Sequence, residues 1–380
     1  MKSPIRQIRQ AKLLSSGALL MLVAGCGGYG SHSMQSRTVK ITGAELSTLA
    51  TQSEIGSTID PTEHGGNPYG LTVATATGGL ITKGDLIVCN FNDGATNTQG
   101  LGTTIVGLHP MIGAVPYRIA QSQQLLGCSA LTSLPDGSLV ATASQANSLP
   151  LISTSGTIST PFSADTFAEP WSVIYAANTS ANALYVSNAT TGSIDRIVLN
   201  NDAQSSITEI ASGFSANQGV PGSISAPAGL TYDASADTLY VVDTNANRVV
   251  ALNNVAAIGT DGIIVAGTSF TGTSAASAKV IASGAPLNGP ISGALLTNGD
   301  IIVGNTLDPN GTNLLIEISP TSGVIASKNV DTGVGGAIFG IVAVPITITT
   351  MGSYGSEVNT DTDVIYFNDD NANAVMELSQ

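Results

Sequence analysis

Residues 226–252 read APAGLTYDASADTLYVVDTNANRVVAL, and the fold turns on how this stretch is read. Pro227 opens a segment, Ala-Gly-Leu-Thr-Tyr, that is small and then apolar, and Asp233 to Asp237 supply turn formers. Thr238 to Val242 is a β-branched and aromatic run. Asp243-Thr-Asn-Ala-Asn is a second turn, and Arg248 to Leu252 returns to apolar residues. The pattern predicts three antiparallel strands. Because the apolar runs are continuous and do not alternate, both faces of the sheet should be covered.

The middle strand recurs along the chain. It returns as GDLIVCN around Leu86, GSLVATA around Leu139, NALYVSN around Leu184, DTLYVVD around Leu239, GDIIVGN around Ile301 and TDVIYFN around Val364, at steps of 45 to 63 residues. First-strand counterparts precede most copies: PYGLTVA from Pro68, PWSVIYA from Pro170, PAGLTYD from Pro227, PISGALL from Pro290 and IFGIVAV from Ile338. That of the second copy, Ser129 to Leu134, is poorly marked. Gly70, Ser172, Gly229, Gly293 and Gly340 are small where wedge-shaped units would converge on an axis. Repeats at this spacing predict propeller blades stretched by loops. An irregular β-sandwich or β-helix is the alternative.

Asp243-Thr-Asn-Ala-Asn-Arg248, preceded by Leu-Tyr-Val-Val, resembles the NHL-repeat signature of a strand, Asp-Thr, Asn, Arg and another strand. The resemblance is good over this copy and loose over residues 67–380, where Arg248 has no equivalent in most copies. It implies an all-β, six-bladed propeller of four-stranded antiparallel blades.

The N-terminal stretch reads differently. Lys2, Arg6, Arg9 and Lys12 occur without an acid, Leu13 to Val23 is apolar, and Ala24-Gly25-Cys26 follows. This is the pattern of a secretory signal, too short for a permanent helix across a hydrocarbon core of about 30 Å. Leu22-Val-Ala-Gly-Cys26 resembles the bacterial lipobox, which implies lipidation of Cys26 and, with Gly27 after it in a Gram-negative host, an outer-membrane address. The expected organisation is a lipoprotein signal peptide over 1–25, a flexible Gly/Ser-rich tether over 26–36 and the propeller over 37–380. The last copy ends one strand short at Gln380, so residues near 37 to 43 are expected to close the ring.

Composition suits an exported all-β domain: Gly 43, charged residues 10%. Removing a signal with four cations takes the formal charge from -14 to -18. Nucleic acid and anionic bilayer surfaces are therefore poor partners, so no nucleic acid is expected and a membrane only through the lipid anchor. With Cys26 lipidated, Cys89 and Cys128 remain as a pair in an oxidising compartment, either a disulfide or two buried thiols.

Catalytic signatures are missing. His32, His64 and His109 are the only histidines, and there is no Gly-x-Ser-x-Gly elbow, Walker loop or Gly-x-Gly-x-x-Gly. One constellation remains. First-strand starts and second-strand ends share a face of the disc, which would carry Tyr69, Trp171, Asn90, Asn188, Asp243, Asn305 and Asn368. Oxygen donors converging there could hold one divalent cation such as calcium, or a polar ligand; the alternative is that they cap turns. The turns Asp308-Pro-Asn-Gly-Thr-Asn313 and Asn368 to Asn373 lack full calcium-loop spacing and read as solvated.

Glu169-Pro-Trp171, and Ala228-Gly-Leu230 with Leu239-Tyr-Val, are similar to pieces of the gluconolactonase propellers. That likeness implies Glu169, Asn188 and Asp243 as a metal trio. The fragments fall in mid-chain instead of opening the first blade, a departure from the family pattern. The preferred reading is a lipid-anchored envelope module that binds a protein, polysaccharide or small polar ligand, with Asn253 to Gly284 and Pro345 to Asp363 as contact loops. The alternative is a metal-dependent lactonase or lyase-like enzyme at the axial mouth.

Overall fold

In the computed structural model the described residues are 37–178, 181–200, 203–217, 226–306, 313–351 and 357–380. The signal, Cys26, the tether and the turn residues 308–312 lie outside them.

The stretch quoted first shows why its strands are apolar throughout. Thr238–Asp243 is buried at every position and pairs antiparallel with Pro227–Asp233 on one side and Arg248–Asn253 on the other. Successive side chains point to opposite faces. Leu239 and Val241 enter a core with Tyr185 of the preceding sheet, whereas Tyr240 and Val242 enter another with Ile301 and Val303 of the following one. Each face thus meets a neighbouring sheet, which removes the polar alternation of a half-exposed strand.

The described residues form six sheets, and each sequence anchor lies in the second strand of a different one. The second strands are Leu86–Asn92, Leu139–Ala143, Ala183–Asn188, Thr238–Asp243, Ile301–Asn305 and Glu357–Asp369. The poorly marked second copy is a full four-stranded sheet opened by Cys128–Ser133. First strands of successive sheets lie side by side, and Ile338–Met351 of the sixth returns against Gly66–Val73 of the first. The result is a propeller-like all-β fold. No helix among the described residues is long and apolar enough to cross a membrane.

Closure differs from expectation. The fourth strand of the sixth sheet is Thr51–Ser57, antiparallel to Ala374–Ser379, and residues 37–43 do not fill that place. Arg37–Lys40 instead pairs in parallel with Val358–Asp361. The reason lies in what each segment can bury. Ile55 enters the core of Leu86, Val88, Val106 and Leu108, whereas Arg37–Lys40 is exposed apart from a partly buried Val39.

The two segments read as contact loops are also corrected. Within 253–284, Ile263–Ala266 and Ser269–Thr271 form a hairpin added to the third sheet, and Ala278–Ser283 is the fourth strand of the fourth sheet. Val255, Ile258, Ile263 and Val265 are core residues. Pro345 to Asp363 prolongs the first two strands of the sixth sheet into a hairpin arm, paired from Pro345 with Asp363 to Met351 with Glu357.

Cys89 and Cys128 are joined by a disulfide with Cα atoms 5.4 Å apart, linking the first and second sheets across 39 residues. Loop closure of that length predicts that Cys89→Ala with Cys128→Ala lowers unfolding free energy by about 2–4 kcal/mol. Urea titration of the two forms measures it; coincident midpoints would reject the argument.

Candidate functional site

The first strands of all six sheets line an axial cavity of about 320 Å³. Gly70, Ser172, Gly229, Gly293 and Gly340 all contribute to the wall, and a Cβ at Gly70, Gly229 or Gly340 would run into the neighbouring first strand, so small residues here let the strands approach one another. At the strand starts the cavity is closed. The Tyr69 ring stacks between Phe91, centroid distance 4.2 Å, and Phe339, 3.9 Å, and Trp171 stands edge-on to Phe91 at 5.6 Å. Ala226, Ala228 and Ile291 complete this plug. Toward the strand ends, Val73, Ile174, Tyr232, Leu295 and Val342 are partly exposed, so the channel opens on the other face.

Among the described residues no Asp, Glu, Lys, Arg or His lines the channel. Its polar groups are hydroxyls, and several are engaged: Ser129 donates to the Trp171 carbonyl at 2.9 Å and Ser292 to that of Phe339. Thr231 Oγ1 is buried and has no partner. Burial also pushes the Tyr69 hydroxyl up from its ordinary pKa, keeping it neutral.

The sequence-derived residues divide here. Tyr69 and Trp171 are brought together, but in a hydrophobic plug. Asn90, Asn188, Asp243, Asn305 and Asn368 are fully buried and bonded within the protein. The carboxamide of Asn188 accepts from Ala168 N at 3.1 Å, that of Asn305 from Asn288 N at 2.9 Å, and Asp243 Oδ1 from Ser215 N at 3.3 Å. Each holds the segment leading into its own first strand. Asn90 donates to the Thr58 carbonyl at 2.9 Å and Asn368 to that of Gly70 at 3.0 Å, with their Oδ1 atoms unpartnered. These are turn and loop clamps, the role Asn and Asp play by bonding nearby backbone.

The trio Glu169, Asn188 and Asp243 does not fit a shared cation. Both Nε and Nη2 of Arg248 bond Asp243 Oδ2, at 2.9 and 2.6 Å. Asn188 turns its nitrogen to Asp195 at 3.0 Å, and Glu169 Oε2 takes Asn217 at 2.8 Å and Thr190 at 3.1 Å. Among the described residues no three His, Cys, Asp or Glu side chains are grouped to hold a metal ion. The turn from Asn368 to Asn373 is self-bonded, with Asp369 Oδ1 accepting from Ala372 N at 3.0 Å.

Phe91 and Phe339 were missed as partners of Tyr69. A signal existed for Phe339: it occupies the register of Tyr69 and Trp171 when first-strand copies are superposed. Phe91 carries no such mark, because its neighbour Asn90 takes the position that the copies share.

A buried carboxylate cluster was also missed. Glu45 Oε1 accepts from Thr362 Oγ1 at 2.6 Å and Asp363 N at 2.5 Å, while Glu317 accepts from the backbone of Glu45 at 2.9 Å and Leu46 at 2.8 Å. Asp363 takes Thr297 N at 2.6 Å. The cluster fastens the N-terminal segment to the fifth and sixth sheets. Burial raises the pKa of Glu45, Asp363, Asp195 and Asp369, and lifts Asp370 to about 6. Among the shifted carboxylates only Asp60, beside Arg118, and partly exposed Asp93 are held low by their hydrogen bonds.

A carboxyl whose folded pKa is raised binds protons more tightly in the folded state. Its stabilising effect is fully present below the unfolded pKa and is lost as pH rises through the folded one. The protein is therefore expected to melt at higher temperature near pH 4.5 than at pH 7.5. Asp370 alone sets an upper bound of about 3 kcal/mol, reduced because Asn67, with its amide nitrogen toward that carboxylate, donates at 2.7 Å. Thermal melts across this range test it; a maximum at neutral pH would contradict it.

No protein-family model matches the chain, and no curated protein matches it in sequence. Solved structures do. A gluconolactonase from Xanthomonas campestris superposes with TM-score 0.53 at 11% identity, covering 86% of this chain and 91% of that one. The calcium-binding protein regucalcin from Agrobacterium tumefaciens gives 0.51 at 16%, covering 90% and 94%. A putative gluconolactonase gives 0.51 at 10%, covering 88% and 95%. At these identities the likeness is one of fold.

Proposed function

We propose that the chain is a lipid-anchored, six-bladed propeller of the cell envelope that binds a small, uncharged, largely apolar ligand in its axial channel. The observation that carries this reading is the channel wall: six strands contribute uncharged side chains, and aromatic rings close one end. Pockets of this kind select by shape and apolar area, with a few hydroxyls setting orientation. Thr72, partly exposed on the wall, offers such a hydroxyl.

The single tryptophan, Trp171, lies at the channel floor and reports occupancy directly. Titration with neutral apolar compounds is expected to shift its emission saturably, and Thr72→Phe, at a partly exposed position of the channel wall, to abolish the response. Ligands that bind equally well to Thr72→Phe would sink the proposal.

A metal-dependent lactonase or lyase-like activity is the second reading. It is supported by the fold shared with a gluconolactonase and with a calcium-binding regucalcin, and by Glu169, held at φ 58° with its carboxyl raised by burial and Oε1 unpartnered. Elemental analysis of the purified protein, with lactone turnover of wild type and Glu169→Gln, tests it. Equal turnover in both forms and no stoichiometric metal would remove it.

A further inference from the structure

Strands within a sheet are antiparallel and first strands begin at the aromatic plug, so each connection belongs to one face of the disc. First-to-second and third-to-fourth connections lie on the open face. Second-to-third connections and the links between sheets lie on the plugged face.

Sorted this way, the cations are one-sided. Of the Lys and Arg beyond the signal, Arg118 pairs with Asp60 and Arg248 with Asp243, Arg196 donates to the carbonyls of Val255, Ala256 and Ile258, and Lys328 donates to that of Leu49. The rest are Arg37, Lys40, Lys83 and Lys279, all exposed and all on the open face. Arg37 and Lys40 run along the hairpin arm, Lys83 lies in the first-to-second connection of the first sheet, and Lys279 reaches Pro320 of a neighbouring open-face turn at 3.3 Å. The plugged face carries Glu63, Asp165, Glu169 and Asp370 and, among the described residues, no exposed Lys or Arg; Asp136, Asp233, Asp300, Glu357 and Asp361 stand among the cations of the open face, so the face is marked by mixed charge around its apolar residues and not by net positive charge.

Apolar exposure follows the same division. Residues 109–116, HPMIGAVP, join the third and fourth strands of the first sheet and present Met111 at 62% exposure, Ile112 at 72% and Val115 at 79%. The knuckle is pinned. Ala114 N donates to Ile55 O at 2.8 Å, and His109 Nδ1 lies 2.6 Å from Oδ1 of buried Asp85, whose Oδ2 accepts from the Tyr117 hydroxyl. An apolar cluster held outward by such bonds marks an interaction surface. Leu80, Ile346 and Met351 add to it on the same face, whereas Ile59, Leu101 and Val334 stand singly on the other.

The direction of the chain agrees. Arg37–Lys40 lies on the arm, so the described chain begins at the open face. Only residues 27–36 separate Arg37 from Cys26, a span of at most about 40 Å.

We propose that the open face is a membrane-docking surface. The proposal rests on the lipoprotein reading: with Cys26 acylated, the disc lies open face down, the 109–116 knuckle in the interfacial layer and Arg37, Lys40, Lys83 and Lys279 at anionic headgroups. The net charge of the mature chain opposes approach from a distance, so the acyl anchor supplies retention and the face supplies orientation. The axial channel then opens toward lipid, and its ligand arrives from the bilayer.

The test uses the full acylated chain in vesicles of phosphatidylethanolamine and phosphatidylglycerol with brominated acyl chains, which quench nearby indoles. Ile112→Trp is expected to be quenched about twofold or more relative to Val334→Trp, as insertion of one face requires. Adding Lys83→Glu with Lys279→Glu should diminish that difference. Equal quenching at positions 112 and 334 overturns the proposal. Mass spectrometry of the N-terminal peptide reports acylation separately. Should Cys26 prove unmodified, the lipoprotein reading fails, and the same comparison with excess vesicles still decides docking, by the same ordering or its absence.

Discussion

Asp243→Ala is expected to lower unfolding free energy by about 3–5 kcal/mol, measured by urea titration with Trp171 emission as probe. The carboxylate is fully buried and the Arg248 side chain is 8% exposed, so the substitution strands a cation that water scarcely reaches. Arg248 Nη1 also holds the Gly267 carbonyl, in the turn of the 263–271 hairpin, and loosening it frees that hairpin. Asp243→Leu combined with Arg248→Met should recover most of the loss, because the cost arises from an unmatched charge and not from a missing attraction. A single-mutant effect below about 1 kcal/mol, the range of solvated pairs, would show that the site is wet. The NHL-like Asp and Arg thus act as an internal clamp in this fold.

Gly340→Val is expected to cost about 3 kcal/mol or to prevent folding. A Cβ at Gly340 would stand 2.6 Å from Leu71 Cβ and 2.7 Å from Leu71 N, where the sixth sheet meets the first. Gly70 against Ala130 Cα and Gly229 against Ser292 Cα, each at 2.8 Å, repeat the approach at other junctions. Backbone is the obstacle in each case, so rotamer changes offer no relief. Gly259→Val is the control: nothing lies within 4 Å of its Cβ position, and a change within about 0.5 kcal/mol is expected. Equal effects at positions 340 and 259 would remove the axial-crowding argument.

The small axial residues were legible because Gly70, Ser172, Gly229 and Gly340 recur at one register of a repeated strand, with Ser292 at that register and Gly293 one residue later in the fifth copy. The role of Asn188, Asp243 and Asn305 was not. Sequence places these side chains at second-strand ends but leaves open whether they face a shared mouth or the adjoining segment, and a few degrees of side-chain direction separate the two. Their oxygens turned to Ala168, Ser215 and Asn288, because buried backbone N–H groups at the entrances to the first strands need acceptors. Tyr69 and Trp171 were legible as neighbours at the mouth, yet the chemistry of that mouth changed once Phe91 and Phe339 joined them.

The chain's own residue order determined the strand cadence, the turns and the division into six sheets, since these depend on propensity and periodicity within a few residues. Contacts across the molecule decided the rest: Thr51–Ser57 as the closing strand, Glu45 fastened by Glu317 across 272 residues, and an aromatic plug where oxygen ligands were expected. A strand edge accepts whichever segment buries apolar area and satisfies its backbone, and that comparison is made between segments only when the sheets have assembled.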